Sequence, residues 1–134
     1  MSNNTQNYEI LQTNITAIIK DLLFPSESDE PIHLFAKEQK LETTLQQLKQ
    51  ENTEAKISNK NWEDFFAPLI LEEDWHEEEE KKIVQQFKEL KQTLESQLQN
   101  CQIWLIGETQ INAYLLGETT EGYTLGCQTL LIQT

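Results

Sequence analysis

Three apolar runs close the chain, and no single covering layer can bury them. They extend from Gln102 to Gly107, from Ile111 to Gly117 and from Tyr123 to Ile132. Glu108-Thr109-Gln110 and Glu118-Thr119-Thr120-Glu121-Gly122 separate them. Short polar connections of this kind join antiparallel neighbours, so a β-meander is expected. Successive side chains of a strand point to opposite faces. Ile103 and Leu105 then oppose Trp104 and Ile106, Ala113 and Leu115 oppose Tyr114 and Leu116, and Leu125, Cys127 and Leu131 oppose Leu130 and Ile132. A sheet with one wet face would alternate apolar with polar residues. This one is apolar on both faces, so the upstream helices have to cover both.

Those helices are legible as periodic stripes. Tyr8, Leu11, Ile15, Ile18 and Leu22 recur at helical spacing, and the helix is expected to end near Phe24-Pro25. Pro25 to Pro31 follows as a loop bounded by prolines, with Glu27, Asp29 and Glu30 crowded together. It reads either as a solvated acidic turn or as a semi-rigid presenter of carboxylates. Ile32 to Ala36 suits a strand, edge or central, and Leu41, Leu45 and Leu48 mark a weaker helix within Lys37 to Gln50. Asn52 to Lys60 is polar, with a strand residue or two near Ile57. Asn61 can cap a short helix from Trp62 to Ala67, which Pro68 would help to end. The longest helix is expected to start at Asp74, with Glu77 completing a capping box and Glu77 to Glu80 favoured by the helix dipole. Its buried stripe is Ile83, Phe87, Leu90, Leu94 and Leu98, and Asn100 would stop it. Trp75 lies off that stripe, either as a staple on Leu71 or as a presented side chain.

At 134 residues the chain suits a single domain over 1–134, with residues 1–7 expected to be a flexible tail. The formal charge is −13, from 23 acidic and 10 basic groups. That balance repels phosphates and anionic membranes, so direct nucleic-acid and membrane binding are disfavoured and a basic partner is favoured. The polar N-terminus, without a basic region, does not read as a signal peptide, and no apolar run is long enough to span a bilayer. Cys101 and Cys127 lack CxxC spacing, and a second strand should separate them; reduced thiols in a cytoplasmic protein are expected.

Signatures of catalysis are missing. The sequence has no GxSxG, P-loop, GxGxxG or HExxH, and His33 and His76 lack the spacing of a metal site. Carboxylates are plentiful, so no acid/base pair stands out. An enzyme using the acidic loop is the weakest of the readings. A non-catalytic regulatory module aimed at a basic partner is a stronger one.

Several fragments, taken in order, resemble the nuclease A inhibitor family. They are Leu22-Leu23-Phe24-Pro25-Ser26-Glu27-Ser28, Phe65-Phe66, Asp74-Trp75 before an acidic helix start, the block Ile103 to Leu116, and Thr134. The resemblance implies a three-layer α/β/α sandwich whose central, mainly antiparallel sheet has helices on both faces. It implies inhibition of a non-specific, magnesium-dependent nuclease in a 1:1 complex, by a protein that is monomeric when free and has no cofactor of its own. By the same resemblance Glu27, between Ser26 and Ser28, is the carboxylate that enters the nuclease active site as a phosphate mimic. Thr134 reaches the nuclease magnesium, and Asp74 and Trp75 form a second contact.

Overall fold

The computed structural model describes residues 4–25 and 29–132. Among these are helices α1 (Asn4–Ile19), α2 (Leu41–Glu51), α3 (Trp62–Ile70) and α4 (Glu78–Gln97) and six strands, in the order α1-β1-β2-α2-β3-α3-α4-β4-β5-β6. The strands are β1 (Leu23–Phe24), β2 (Glu30–Lys37), β3 (Ile57–Lys60), β4 (Gln99–Ile106), β5 (Gln110–Glu118) and β6 (Thr124–Ile132). They form one antiparallel sheet in the order β1-β2-β6-β5-β4-β3. The meander expected at the end of the chain is therefore β4-β5-β6. The strand at Ile32 to Ala36 is interior, wedged between β1 and β6.

Two cores lie on opposite faces, as the alternation of β5 requires. Ala113 and Leu115 join the larger cluster with Ile15, Phe66, Phe87, Leu90 and Leu94, under α1, α3 and α4. Tyr114 and Leu116 join the smaller one with Leu41 and Leu48 of α2. The expected mixed α/β class and antiparallel sheet hold. The sheet does not lie flat between two equal helical layers, however; it curls into a half-barrel. Gly126 permits part of this tightness, because a Cβ there would sit 1.9 Å from the Leu115 carbonyl oxygen.

Several boundaries depart from expectation for local reasons. α1 begins at Asn4, inside the segment expected to be a tail, and ends at Ile19 rather than at the proline. Asp21 takes a left-handed conformation (φ 61°) that turns the chain into β1. In α3 the Asn61 side chain accepts from the Asp64 N–H at 2.9 Å, as expected of a cap. The helix nevertheless runs through Pro68 to Ile70, with buried Leu69 holding the last turn on the core. Asn100 does not stop α4. It lies in an irregularity of β4 with φ 55°, where its side chain donates to Glu118 Oε2 at 3.0 Å.

Buried hydroxyls pin α2 to the sheet. Thr124 Oγ1 donates to the Gln39 carbonyl at 2.9 Å and lies 2.9 Å from Thr44 Oγ1, 80 positions away in sequence. Both threonines are fully buried. Thr124→Val keeps the shape and strips the Gln39 carbonyl of this donor, so it should cost about 1–2 kcal/mol. A urea unfolding midpoint unchanged from wild type would show that the network contributes nothing.

Candidate functional site

Four of the candidate residues, Ser26, Glu27, Ser28 and Thr134, lie outside the described residues. Their neighbours in the chain are placed by strand register. β1 and β2 pair as a hairpin, Leu23 with Pro31 and Phe24 with Glu30, so residues 25–29 connect its two strands. Phe24 anchors the base of that connection. It is buried against Phe65 of α3 (ring centroids 5.4 Å) and Phe87 of α4 (6.0 Å).

The end of β6 comes to the same place. Ile32 pairs with Thr129 in an antiparallel register, so the start of β2 lies beside the last residues of β6. The Thr129 hydroxyl fixes this junction by donating to the Pro31 carbonyl at 2.9 Å. Ile132 in turn pairs with Gln110, which brings the β4–β5 turn to this end of the sheet. That turn carries Glu108. At its start the Gly107 N–H donates to the Lys56 carbonyl at 2.9 Å, which extends the β3–β4 pairing, and Gly107 adopts a φ of +123° that favours glycine.

α4 connects this end of the sheet to the other. Phe87 meets Phe24 near the hairpin base, whereas the Leu94 carbonyl accepts from Cys101 Sγ near the start of β4. The helix thus runs from the hairpin end towards the start of β4. Its N-terminus, and the α3–α4 connection before it, extend beyond Phe87 on the hairpin side. Lys91 of α4 ties that helix to α3 through an ion pair to Glu63 (3.1 Å) and pairs within α4 to Glu95 (2.6 Å), which in turn accepts from the Trp62 indole of α3 at 2.7 Å.

Asp74 and Trp75 sit in that connection, and their geometry corrects the expected helix start. α4 begins at Glu78, capped by Glu77 without a side-chain bond, so Asp74 is no cap and Trp75 is not helical. The two residues occupy the central positions of a turn closed by the His76 N–H donating to the Glu73 carbonyl at 3.1 Å. The turn is held a second time: His76 Nδ1 accepts from the Glu73 N–H at 3.0 Å. This local pairing wins over the capping box because it satisfies the backbone of Glu73, which a helix starting at Asp74 would leave outside. Trp75 is 71% exposed and Leu71 is 56% exposed, so the staple does not form. The indole is presented to solvent, in edge contact with the His76 ring at 4.3 Å.

What this end of the molecule offers chemically is negative charge and one large aromatic surface. Asp29, Glu72, Asp74, Glu77, Glu78 and Glu79 belong to its connections and helix start. The two thiols lie elsewhere and are subdued. Burial pushes the Cys101 thiol up to about 11, with the Glu95 charge adding to the shift, and pushes Cys127 up to about 12. Among the described residues no group of three or more His, Cys, Asp or Glu is placed to hold a metal ion. No described helix is long and apolar enough to cross a membrane.

Sequence reasoning missed the role of His76 and the arrival of the Glu108 turn at this end. For His76 the only available signal was its three-residue spacing from Glu73, hidden in an acidic run. A sequence-family model described as nuclease A inhibitor-like protein matches residues 9–134, almost the whole chain. No match was found among curated proteins.

Proposed function

The chain belongs to the nuclease A inhibitor-like family, and from that premise we propose that it blocks the active site of a non-specific, magnesium-dependent nuclease as a 1:1 inhibitor. Glu27 serves as the phosphate mimic, flanked by Ser26 and Ser28. Thr134 supplies an oxygen ligand to the nuclease magnesium, and Asp74 with Trp75 forms the second contact. The inhibitor needs no cofactor of its own, performs no chemistry and acts as a monomer in the cytoplasm.

One observation supports this reading above the others: the open ends of β1 and β2, the end of β6 and the start of β5 lie at one end of the sheet. The hairpin residues that flank Glu27 pair with or neighbour the end of β6, two residues before Thr134. Two residues of chain reach no more than about 7 Å. The acidic connection and the chain beyond β6 can therefore enter one groove together. A hard cation with an open position accepts a threonine oxygen. A cleft shaped for phosphate accepts a carboxylate held at matching depth. The net charge of −13 speeds encounter with a basic cleft more than it sets the final affinity.

Titrating the purified chain into a magnesium-dependent, sugar-non-specific nuclease, with plasmid DNA as substrate, tests the proposal. Digestion should stop at one equivalent. Full digestion in the presence of a large molar excess would reject inhibition of that class of nuclease. Turnover of a substrate by the purified chain alone would favour an enzyme instead.

A further inference from the structure

We propose that His76 is a positioning residue for partner binding, holding the turn that presents Trp75 and orienting its indole. The inference rests on Trp75 meeting the partner, as in the reading above. An indole that is 71% exposed at the tip of a turn has little core packing to choose its rotamer. A partner that captured it unsupported would have to order both the ring and the turn. His76 does part of this in advance, through two separate contacts. Its Nδ1 accepts from the Glu73 N–H at 3.0 Å, which locks the residue before Asp74 to the residue after Trp75. Its ring meets the indole edge-on, at 4.3 Å and 71°.

These contacts do not serve α4. The helix starts after them, its cap residue Glu77 makes no side-chain bond, and its first backbone bond runs from the Lys81 N–H to the Glu77 carbonyl. The Glu73 N–H is outside every helix and strand, so the imidazole is satisfying a turn, not a terminus. An acceptor at this position also fixes the tautomer, with the ring proton on Nε2.

Two substitutions separate the contacts. His76→Phe keeps a ring beside the indole and loses the acceptor. His76→Asn keeps an acceptor at the same distance along the side chain and loses the ring. In the free full-length chain, His76→Phe should speed exchange of the Glu73 amide proton, and His76→Asn should restore its protection. The Trp75 indole N–H resonance should move in both. Against the nuclease, His76→Ala should weaken inhibition about three- to tenfold, the range expected for ordering one large side chain on binding. In a Trp75→Ala background it should have no further effect. Unchanged Glu73 exchange in His76→Phe overturns the assignment, and so does an equal loss of inhibition with and without Trp75. If the wild-type chain fails to inhibit the nuclease, the proposed function falls. The amide and indole measurements then still decide whether His76 holds the turn.

Discussion

Phe87→Ala is expected to remove about 3–5 kcal/mol of folding stability, the range for deleting a fully buried aromatic ring. Phe87 is 1% exposed, midway along α4, in the cluster that joins α1, α3 and α4 to one face of the sheet. No side chain nearby can refill that space without pulling a helix off the sheet, because interiors are close-packed. For a domain with a total stability of about 5–15 kcal/mol, the loss is a large fraction. It also reaches the candidate site. Phe87 is one of the two rings against Phe24, the residue that ends β1 at the acidic connection. Amide exchange at the β1–β2 hairpin should therefore accelerate by more than the global destabilisation alone explains. Ile10→Ala, at a position 50% exposed, is the control and should change stability by no more than about 0.5 kcal/mol. A loss below about 1 kcal/mol for Phe87→Ala, measured by urea unfolding, would mean that α4 is not seated on the core as described.

Much of this fold was legible because burial leaves periodic marks. β4, β5 and β6 showed two apolar faces, and both faces are covered, chiefly by α1, α3 and α4 on one side and by α2 on the other. The helical stripes led to Ile15, Leu48, Phe87 and Leu94, all buried, but Ile83, expected on the same stripe as Phe87, is 42% exposed and Val84 beside it is buried instead. What stayed hidden was pairing over long distances. The bond from Thr129 to Pro31 joins residues 98 positions apart, and nothing in either strand alone specifies the other as its partner. β3 was faint because an edge strand has one neighbour and three of its four residues are exposed. Helix ends failed where a single side chain or dihedral overruled a general preference, at Asp21 and at the turn held by His76. The candidate site inherits both difficulties. Its residues were suggested by motif, while the approach of the strands that flank Glu27 to the end of β6 depends on register.

Glu27→Ala is expected to weaken inhibition by about 2 kcal/mol or more, roughly thirtyfold, as for a residue at the centre of an interface. Folding should be unaffected, because the surrounding hairpin is anchored by Phe24 rather than by the acidic connection. The size of the effect has to be separated from the loss of one negative charge on a protein that carries −13. A carboxylate that only steers the encounter acts through the association rate, and its influence fades as salt shortens the Debye length to about 8–10 Å. A carboxylate lodged where phosphate binds acts mainly through the dissociation rate, and salt screens it much less. Glu79→Gln supplies the comparison: it removes the same charge from an exposed position in the first turn of α4. That variant should associate more slowly at low salt and inhibit like wild type at high salt. Glu27→Gln preserves shape and should resemble Glu27→Ala, because a cleft that binds phosphate selects for charge. If Glu27→Ala and Glu79→Gln lose inhibition equally, and salt abolishes both losses, the acidic connection contributes only to the protein's overall field. Glu27 would then have no place in the nuclease active site.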